Sequence, residues 1–249
     1  PISVMNAIRR GFSRIKGGRL AALAHPARVV TLVVSDVPGD DPAEVASGPT
    51  VPAPPGDPLA LADLWRIELD PRLRAHLASA PPPPVFAHET RVIASATQSL
   101  KAAADLARAR GVEAVILSDE IEGEAREAGA FHAALARQIA REGRPPVVLL
   151  SGGETSVTLR GSGSGGRNRE FMLSFAGRIA GQPVTALAAD TDGIDGSPDA
   201  AGAFADGTSA ARLAALGRRW DLDLAANDSG GAFAALGDAF VTGPTGTNV

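Results

Sequence analysis

The chain has 249 residues, enough to bury a large core and at the boundary between one large domain and two smaller ones. Its net charge is −4, with 24 Lys plus Arg dispersed among 28 Asp plus Glu, so nothing in it points to nucleic acid or to a membrane surface. There are no cysteines, which excludes disulfides and thiolate metal sites and fits a reducing cytoplasm; His25, His76, His88 and His132 are too scattered for a histidine zinc site.

The chain opens at Pro1 in what reads as the middle of a helix and stops at Val249 after a polar loop, so a fragment or a trimmed sequence is expected. Ile2, Met5, Ile8, Phe12, Ile15, Leu20 and Leu23 recur at three-to-four spacing, which predicts helix over residues 2–24, broken at Gly17 and Gly18. Arg9, Arg10 and Arg14 read as a solvated basic face. Lys16 and Arg19 flank the double glycine, where backbone can approach an anion, and are candidates for a ligand role. Val29 to Val34 is a β-branched run expected to be an interior strand of a parallel sheet. Asp36, at its carboxyl end, is well placed for function, whereas Asp40, Asp41 and Glu44 serve equally well as turn or cap groups.

Pro52 to Pro58 and the run Pro81 to Pro84 bracket a helical pattern from Leu59 to Leu77, and the second run reads as a stiff hinge before another lobe. Strand (Arg91 to Ser95), helix (Gln98 to Arg110), strand (Val112 to Leu117) and a helix opened by Glu122, Glu124, Arg126 and Glu127 and closed at Arg141 follow. The alternation predicts an α/β fold of mainly parallel, Rossmann-like sheets flanked by helices, in two lobes with a cleft between them. The boundary is expected near residue 84, with domains over 1–84 and 85–249.

The apolar runs Val147 to Leu150 and Val184 to Ala189 read as buried strands, each followed by a polar loop, and in an open parallel sheet such loops face a common crevice. The first loop is SGGETSVTLRGSGSGGRNREF, Ser151 to Phe171. Gly161, Gly163 and Gly166 satisfy G-x-G-x-x-G between a strand predicted over Thr155 to Leu159 and a helix, and Asp190 stands where a ribose-binding acid would; this is a dinucleotide reading. The same residues are a near miss to a P-loop, with Arg167 and Asn168 in place of Lys and the hydroxyl. A flexible glycine-serine hairpin is the bland reading. Against it, Arg167 and Arg169 at a helix start oppose the helix dipole, which makes sense if an anion sits there.

The second loop, Ala188 to Gly202, clusters Asp190, Asp192, Asp195 and Asp199. Ile194 and Ala201 occupy ligand slots of the EF-hand pattern, so magnesium on Asp192 and Asp195, completed by phosphate and water, fits better than calcium. A helix from Thr208 to Arg219, a cap formed by Asn227, Asp228 and Ser229, and a hydroxyl-rich tail from Thr242 to Asn248 follow. Thr245 and Asn248 of that tail can bond a phosphate or ribose, or simply turn the chain.

SGGETSVTLRGSGSGGRNRE, TDGIDG followed by DAAGA, NDS and TGPTGTN stand here in an order that resembles the MOFRL glycerate 2-kinase family, whose members often carry a hydroxypyruvate reductase label. Upstream, NAIRRGFSRIKGGRLA, SDVPGDDPAEVASGPT and IEGEAREAG are similar to the later part of that family's first domain. The resemblance spans essentially the whole chain, with the MOFRL region over about 146–249. It implies ATP- and Mg²⁺-dependent phosphorylation of D-glycerate to 2-phosphoglycerate, with Asp36, Glu154, Arg167 and Asp192 lining the cleft as catalytic groups. Lys16, Arg19, Gly152, Gly153, Thr155, Gly163, Gly165, Gly166, Asn168, Thr245 and Asn248 are the expected substrate and nucleotide contacts. Family members carry an earlier glycine-lysine section that this chain lacks, so a missing N-terminal segment is expected. An NAD(P)-dependent hydroxypyruvate reductase and a non-catalytic nucleotide or sugar-acid module are the competing readings.

Overall fold

The computed structural model describes residues 2–53, 56–80, 86–143, 145–197 and 199–249. The chain divides into two compact units, Pro1–Ser95 and Ala96–Val249. The Pro81 to Pro84 run expected to act as a hinge lies outside the described residues, as do Pro54 and Pro55 of the earlier proline stretch.

In the first unit, α1 (Ile2–Phe12) and α2 (Arg19–Ala24) are separated where expected, at Gly17 and Gly18, whose φ values of 64° and 81° suit glycine. Their N–H groups donate to the Ser47 and Gly48 carbonyls at 3.1 and 2.8 Å, so these amides are spent inside the fold rather than held for an anion. Among the described residues β1 (Val30–Val34) pairs only with β2 (Glu89–Ala94), in parallel. Val33 is buried, but Val30, Leu32 and Val34 are exposed, so β1 is half-covered rather than interior. A strand buried on one face reads much like one buried on two when both faces are apolar. The helical pattern expected over Leu59 to Leu77 is realised as two helices, α3 (Pro58–Leu64) and α4 (Pro71–Ser79). Pro71 cannot sit inside a helix without losing a bond, and Asp57 and Asp70 cap the two starts by accepting from the Leu59 and Arg72 N–H groups. Val4, Ile8, Ala62 and Leu77 form the core between them.

The second unit runs α5 (Ala96–Ala109), β3 (Glu113–Ser118), β4 (Gly123–Glu124), α6 (Ala125–Arg141), β5 (Val147–Ser151), β6 (Thr155–Ser156), α7 (Arg167–Arg178), β7 (Thr185–Ala189), β8 (Gly202–Asp206), α8 (Ser209–Ala215), α9 (Trp220–Ala225), α10 (Ser229–Leu236) and β9 (Ala239–Phe240). β3 pairs with β5 and β4 with β6, both in parallel. The mixed α/β class and the small parallel sheets are as expected, but β7, β8 and β9 form an antiparallel sheet. Among its described residues the link from β7 to β8 holds no helix, and it returns the chain antiparallel. Glu122 and Glu124 precede α6 instead of opening it; Glu124 sits in β4 and accepts from the Thr158 hydroxyl.

α7 is the central element of this unit. Met172, Leu173, Phe175, Ala176 and Ile179 bury it against Ala203 and Ala205 of β8 and against Leu213, Leu224 and Phe233. α6 crosses it closely at Gly129, where a Cβ would stand 2.3 Å from the Phe171 carbonyl oxygen. Because α7 begins at Arg167, its packing fixes where the end of the glycine loop lies.

Candidate functional site

The start of α7 has free N–H groups that need acceptors. Asp195 supplies them: Oδ1 accepts from the Asn168 N–H at 2.8 Å and Oδ2 from the Arg169 N–H at 2.9 Å. The Arg169 side chain completes the arrangement. Its Nε donates to Asp195 Oδ2 at 3.1 Å, its Nη2 to the Asp195 carbonyl at 2.7 Å and its Nη1 to Asp199 at 3.0 Å. Arg169 is 1% and Asp195 0% exposed. An anion does sit at this helix start, but it is the protein's own carboxylate. The Asn168 and Arg169 amides are therefore bonded to Asp195 rather than held free for a ligand phosphate, and both Asp195 oxygens accept within this buried network.

Arg167, two residues before Arg169, has a different set of partners. Its Nε and Nη2 donate to Asp190 Oδ2 at 3.0 and 2.8 Å, and its Nη1 to Glu154 Oε1 at 2.6 Å. Burial opposes the guanidinium's charge, but Glu154 and Asp190 outweigh it and hold Arg167 above the usual range. Burial lifts the Asp190 carboxyl above its usual range, and Arg167 offsets this only in part. Asp190 is thus the seat of Arg167. Arg167, Asp190 and Asp192 line one cavity of about 420 Å³, so the two opposite-signed loops do meet.

Asp192 Oδ1 accepts from the Ile194 N–H at 2.7 Å, and its carbonyl accepts from the Thr245 N–H at 3.1 Å. The Thr245 hydroxyl donates to the Thr191 carbonyl, so the tail is laid across the Asp192 loop; Asn168 Nδ2 reaches both Asp190 and Asp195, and Asn248 is exposed. Gly152 is tethered to the end of β3 through its N–H to the Ser118 carbonyl and its carbonyl to the Ile121 N–H. Gly153 follows and delivers Glu154, and Thr155 begins β6 on the cavity wall. At the head of this loop Ser151 Oγ lies 3.1 Å from His132 Nε2, while His132 Nδ1 lies 2.8 Å from the Ala128 carbonyl.

The glycine loop is neither a flexible hairpin nor a phosphate cradle along its length. The Arg160 and Gly161 N–H groups donate to Asn227 Oδ1 at 2.6 and 3.0 Å, Gly163 N–H to the Ala226 carbonyl, and Ser164 N–H to Asp228 Oδ1. A Cβ on Gly163 would lie 2.5 Å from Asp228 Cα, and one on Gly166 2.2 Å from the Asp195 carbonyl oxygen. Close packing against the chain itself therefore explains glycine at these positions. β6 ends at Ser156, short of the strand to Leu159 that both nucleotide motifs need. Gly163, Gly165 and Gly166 still line the cavity.

Sequence reasoning missed the residues that pin this loop. Asn227, expected as part of a helix cap, instead donates through Nδ2 to Glu170 Oε2 at 3.0 Å and to the Thr158 carbonyl. Glu170 Oε1 in turn accepts from Arg126 Nε at 2.8 Å, so a buried line runs from α6 through α7 to the loop. Asp228 makes no side-chain cap bond to α10 and pairs with Arg218 instead. Asn227 has a left-handed φ of 55°, which single-sequence patterns do not reveal.

The remaining candidates belong to the first unit. Arg19 Nη1 donates to the Arg10 and Lys16 carbonyls, Lys16 is half-buried, and Asp36 is exposed just past β1. Glu44 is ion-paired with Arg10 at 2.7 Å, beyond the turn or cap role expected of it.

Residues 147–249 match the model of the MOFRL family, and residues 1–80 match a domain of unknown function, DUF4147. The whole chain is 48% identical to an Agrobacterium vitis protein that carries the provisional name of a hydroxypyruvate reductase, covering 67% of that protein. It is 38% identical to the D-glycerate 2-kinase of Thermotoga maritima, covering 61% of it. The crystal structure of a glycerate kinase from Thermotoga maritima superposes on all of this chain with a TM-score of 0.90 at 37% identity, the chain covering 62% of that structure. The chain thus spans roughly three fifths of the kinases that it resembles. On this identity and this shared structure, the chain belongs to the glycerate kinase family built from DUF4147 and MOFRL regions.

Proposed function

We propose that the chain contributes the phosphoryl-transfer site of a glycerate 2-kinase, which moves the γ-phosphoryl of ATP to the 2-hydroxyl of D-glycerate. The observation that carries this reading is Arg167, held by Glu154 and Asp190 at the wall of a cavity shared with Asp192. Phosphoryl transfer asks for positioning and charge neutralisation rather than a covalent nucleophile. A guanidinium has five N–H donors, of which the two carboxylates take three, leaving two in a fixed plane for phosphoryl oxygens. Because Glu154 and Asp190 already orient it, little reorganisation remains when charge develops.

Among the described residues no cluster of three His, Cys, Asp or Glu side chains forms a cation cage. Magnesium needs none here, since one or two carboxylates plus phosphate oxygens and water suffice. Asp192 fits, because its Oδ1 is taken by the Ile194 N–H and its Oδ2 is left for a cation. The ion would supply neutralisation of the charge on the phosphates. Glu154, exposed apart from its bond to Arg167, orients the 2-hydroxyl and accepts its proton on the oxygen that Arg167 does not use.

The test supplies D-glycerate and MgATP, follows ADP release, and identifies the product by phosphorus NMR beside an NADH assay with hydroxypyruvate. ADP release in step with 2-phosphoglycerate is expected. NADH oxidation without ADP release would replace this reading with the reductase.

A further inference from the structure

The cavity is lined by two unlike kinds of side chain, the charged Arg167, Asp190 and Asp192 and the apolar Val157, Leu159 and Ile194. Leu159 is 78% exposed and Ile194 38%. An exposed leucine alone means little. What sets Leu159 apart is that both its neighbours are locked by one buried side chain: the Thr158 carbonyl accepts from Asn227 Nδ2, and the Arg160 N–H donates to Asn227 Oδ1. The segment is thus fixed with its apolar side chain in the open at the mouth of a charged cavity. Ile194 is held comparably, since its N–H is tied to Asp192. A rigid apolar surface beside a few convergent polar groups is the ordinary build of a small-molecule site.

D-Glycerate cannot use this surface, because every carbon of a three-carbon hydroxy acid carries oxygen. The base of a nucleoside triphosphate can, since it has a flat apolar face joined by a sugar to the phosphates. The geometry points to Leu159 and Ile194 as the surface that takes the heterocyclic base of the triphosphate donor, with Arg167 and Asp192 at its phosphate end; this rests on the kinase reading.

The test measures equilibrium binding of ATP and of inorganic tripolyphosphate, both with Mg²⁺, to the chain and to its Leu159→Ser and Ile194→Ser variants. Loss of one apolar contact weakens ATP about tenfold. Tripolyphosphate, which has no base, is expected to bind each variant as it binds the unaltered chain. The exposure of Leu159 makes unfolding of the first variant an unsuitable explanation, and its melting temperature checks this. Unchanged ATP affinity in both variants, equal weakening of both ligands, or failure of the unaltered chain to prefer ATP over tripolyphosphate would each overturn the assignment. ATP binding that depends on Leu159, in a protein that never phosphorylates D-glycerate, keeps this inference and removes the kinase reading. Turnover with an ATP affinity indifferent to Leu159 does the reverse.

Discussion

Asp195 caps helix α7 from a loop 26 residues downstream and holds Arg169 at the same time, both side chains fully buried. One carboxylate thereby satisfies two backbone donors and a guanidinium, and it ties the acidic loop to the helix that carries Arg167. A buried pair of this kind is not in itself evidence of high stability, but breaking it leaves an uncompensated charge in the interior.

Asp195→Ala should therefore destabilise the second unit by about 3 kcal/mol or more. The chain has two tryptophans, Trp65 and Trp220, so a Trp65→Phe background leaves Trp220 to report on this unit in urea titrations. Trp220 lies under the Arg178 guanidinium, 5.3 Å from its ring centroid. A shift below about 1 kcal/mol would mean that the network is not organised as described.

Arg167→Ala should lower kcat by roughly 10³-fold, by analogy with other phosphate-directed arginines. Arg167→Lys should recover little, because a single ammonium cannot bond Asp190 in the same plane and still offer two parallel donors. Steady-state ADP release checks both, and near-normal turnover of either variant would remove Arg167 from the chemistry.

Asn227 joins the glycine loop to Glu170 and occupies a left-handed conformation. Asn227→Gly keeps the backbone comfortable and loses only hydrogen bonds, for a cost of about 2 kcal/mol. Asn227→Asp retains the acceptor but sets a second carboxylate against Glu170, so it should be the more damaging of the two. Thermal melts rank the variants, and the opposite order would show that the acceptor bonds to the glycine loop outweigh the repulsion from Glu170.

Glu44 makes the first unit sensitive to acid. Burial pushes its carboxyl up, but hydrogen bonds from Asn6 and Arg10 outweigh burial and set it below its ordinary value of 4.5. A lowered carboxyl pKa gives stability that is present above that value and is lost as pH falls beneath it. In a Trp220→Phe background, where Trp65 reports on the first unit, the urea midpoint should fall below pH 4.5. Glu44→Gln should flatten that slope, and an unchanged slope would assign the acid response to other groups.

Much of this was legible in the sequence. The helix break at Gly17 and Gly18 and the strands at Val30, Val147 and Thr185 follow from local rules, since chain conformation there is set by neighbours within a few residues. Pairing was less visible: the run before Asp190 is as apolar as the one before Ser151, yet it lies in an antiparallel sheet because strand partners are chosen by connections and not by the strand.

The amino-acid sequence by itself determined the order of motifs, the family, and the prospect that Arg167 and Asp192 serve one gap. Only the tertiary structure decided which charges remain for a ligand. Asp192 and Asp195 are both loop aspartates three residues apart, and no local pattern separates them. Their roles diverge because one faces the cavity while the other lies within reach of the free amides of α7 and the Arg169 guanidinium. Those partners come from a distant stretch of chain, and a buried carboxylate bonds whatever donors the packing of α7 brings to it.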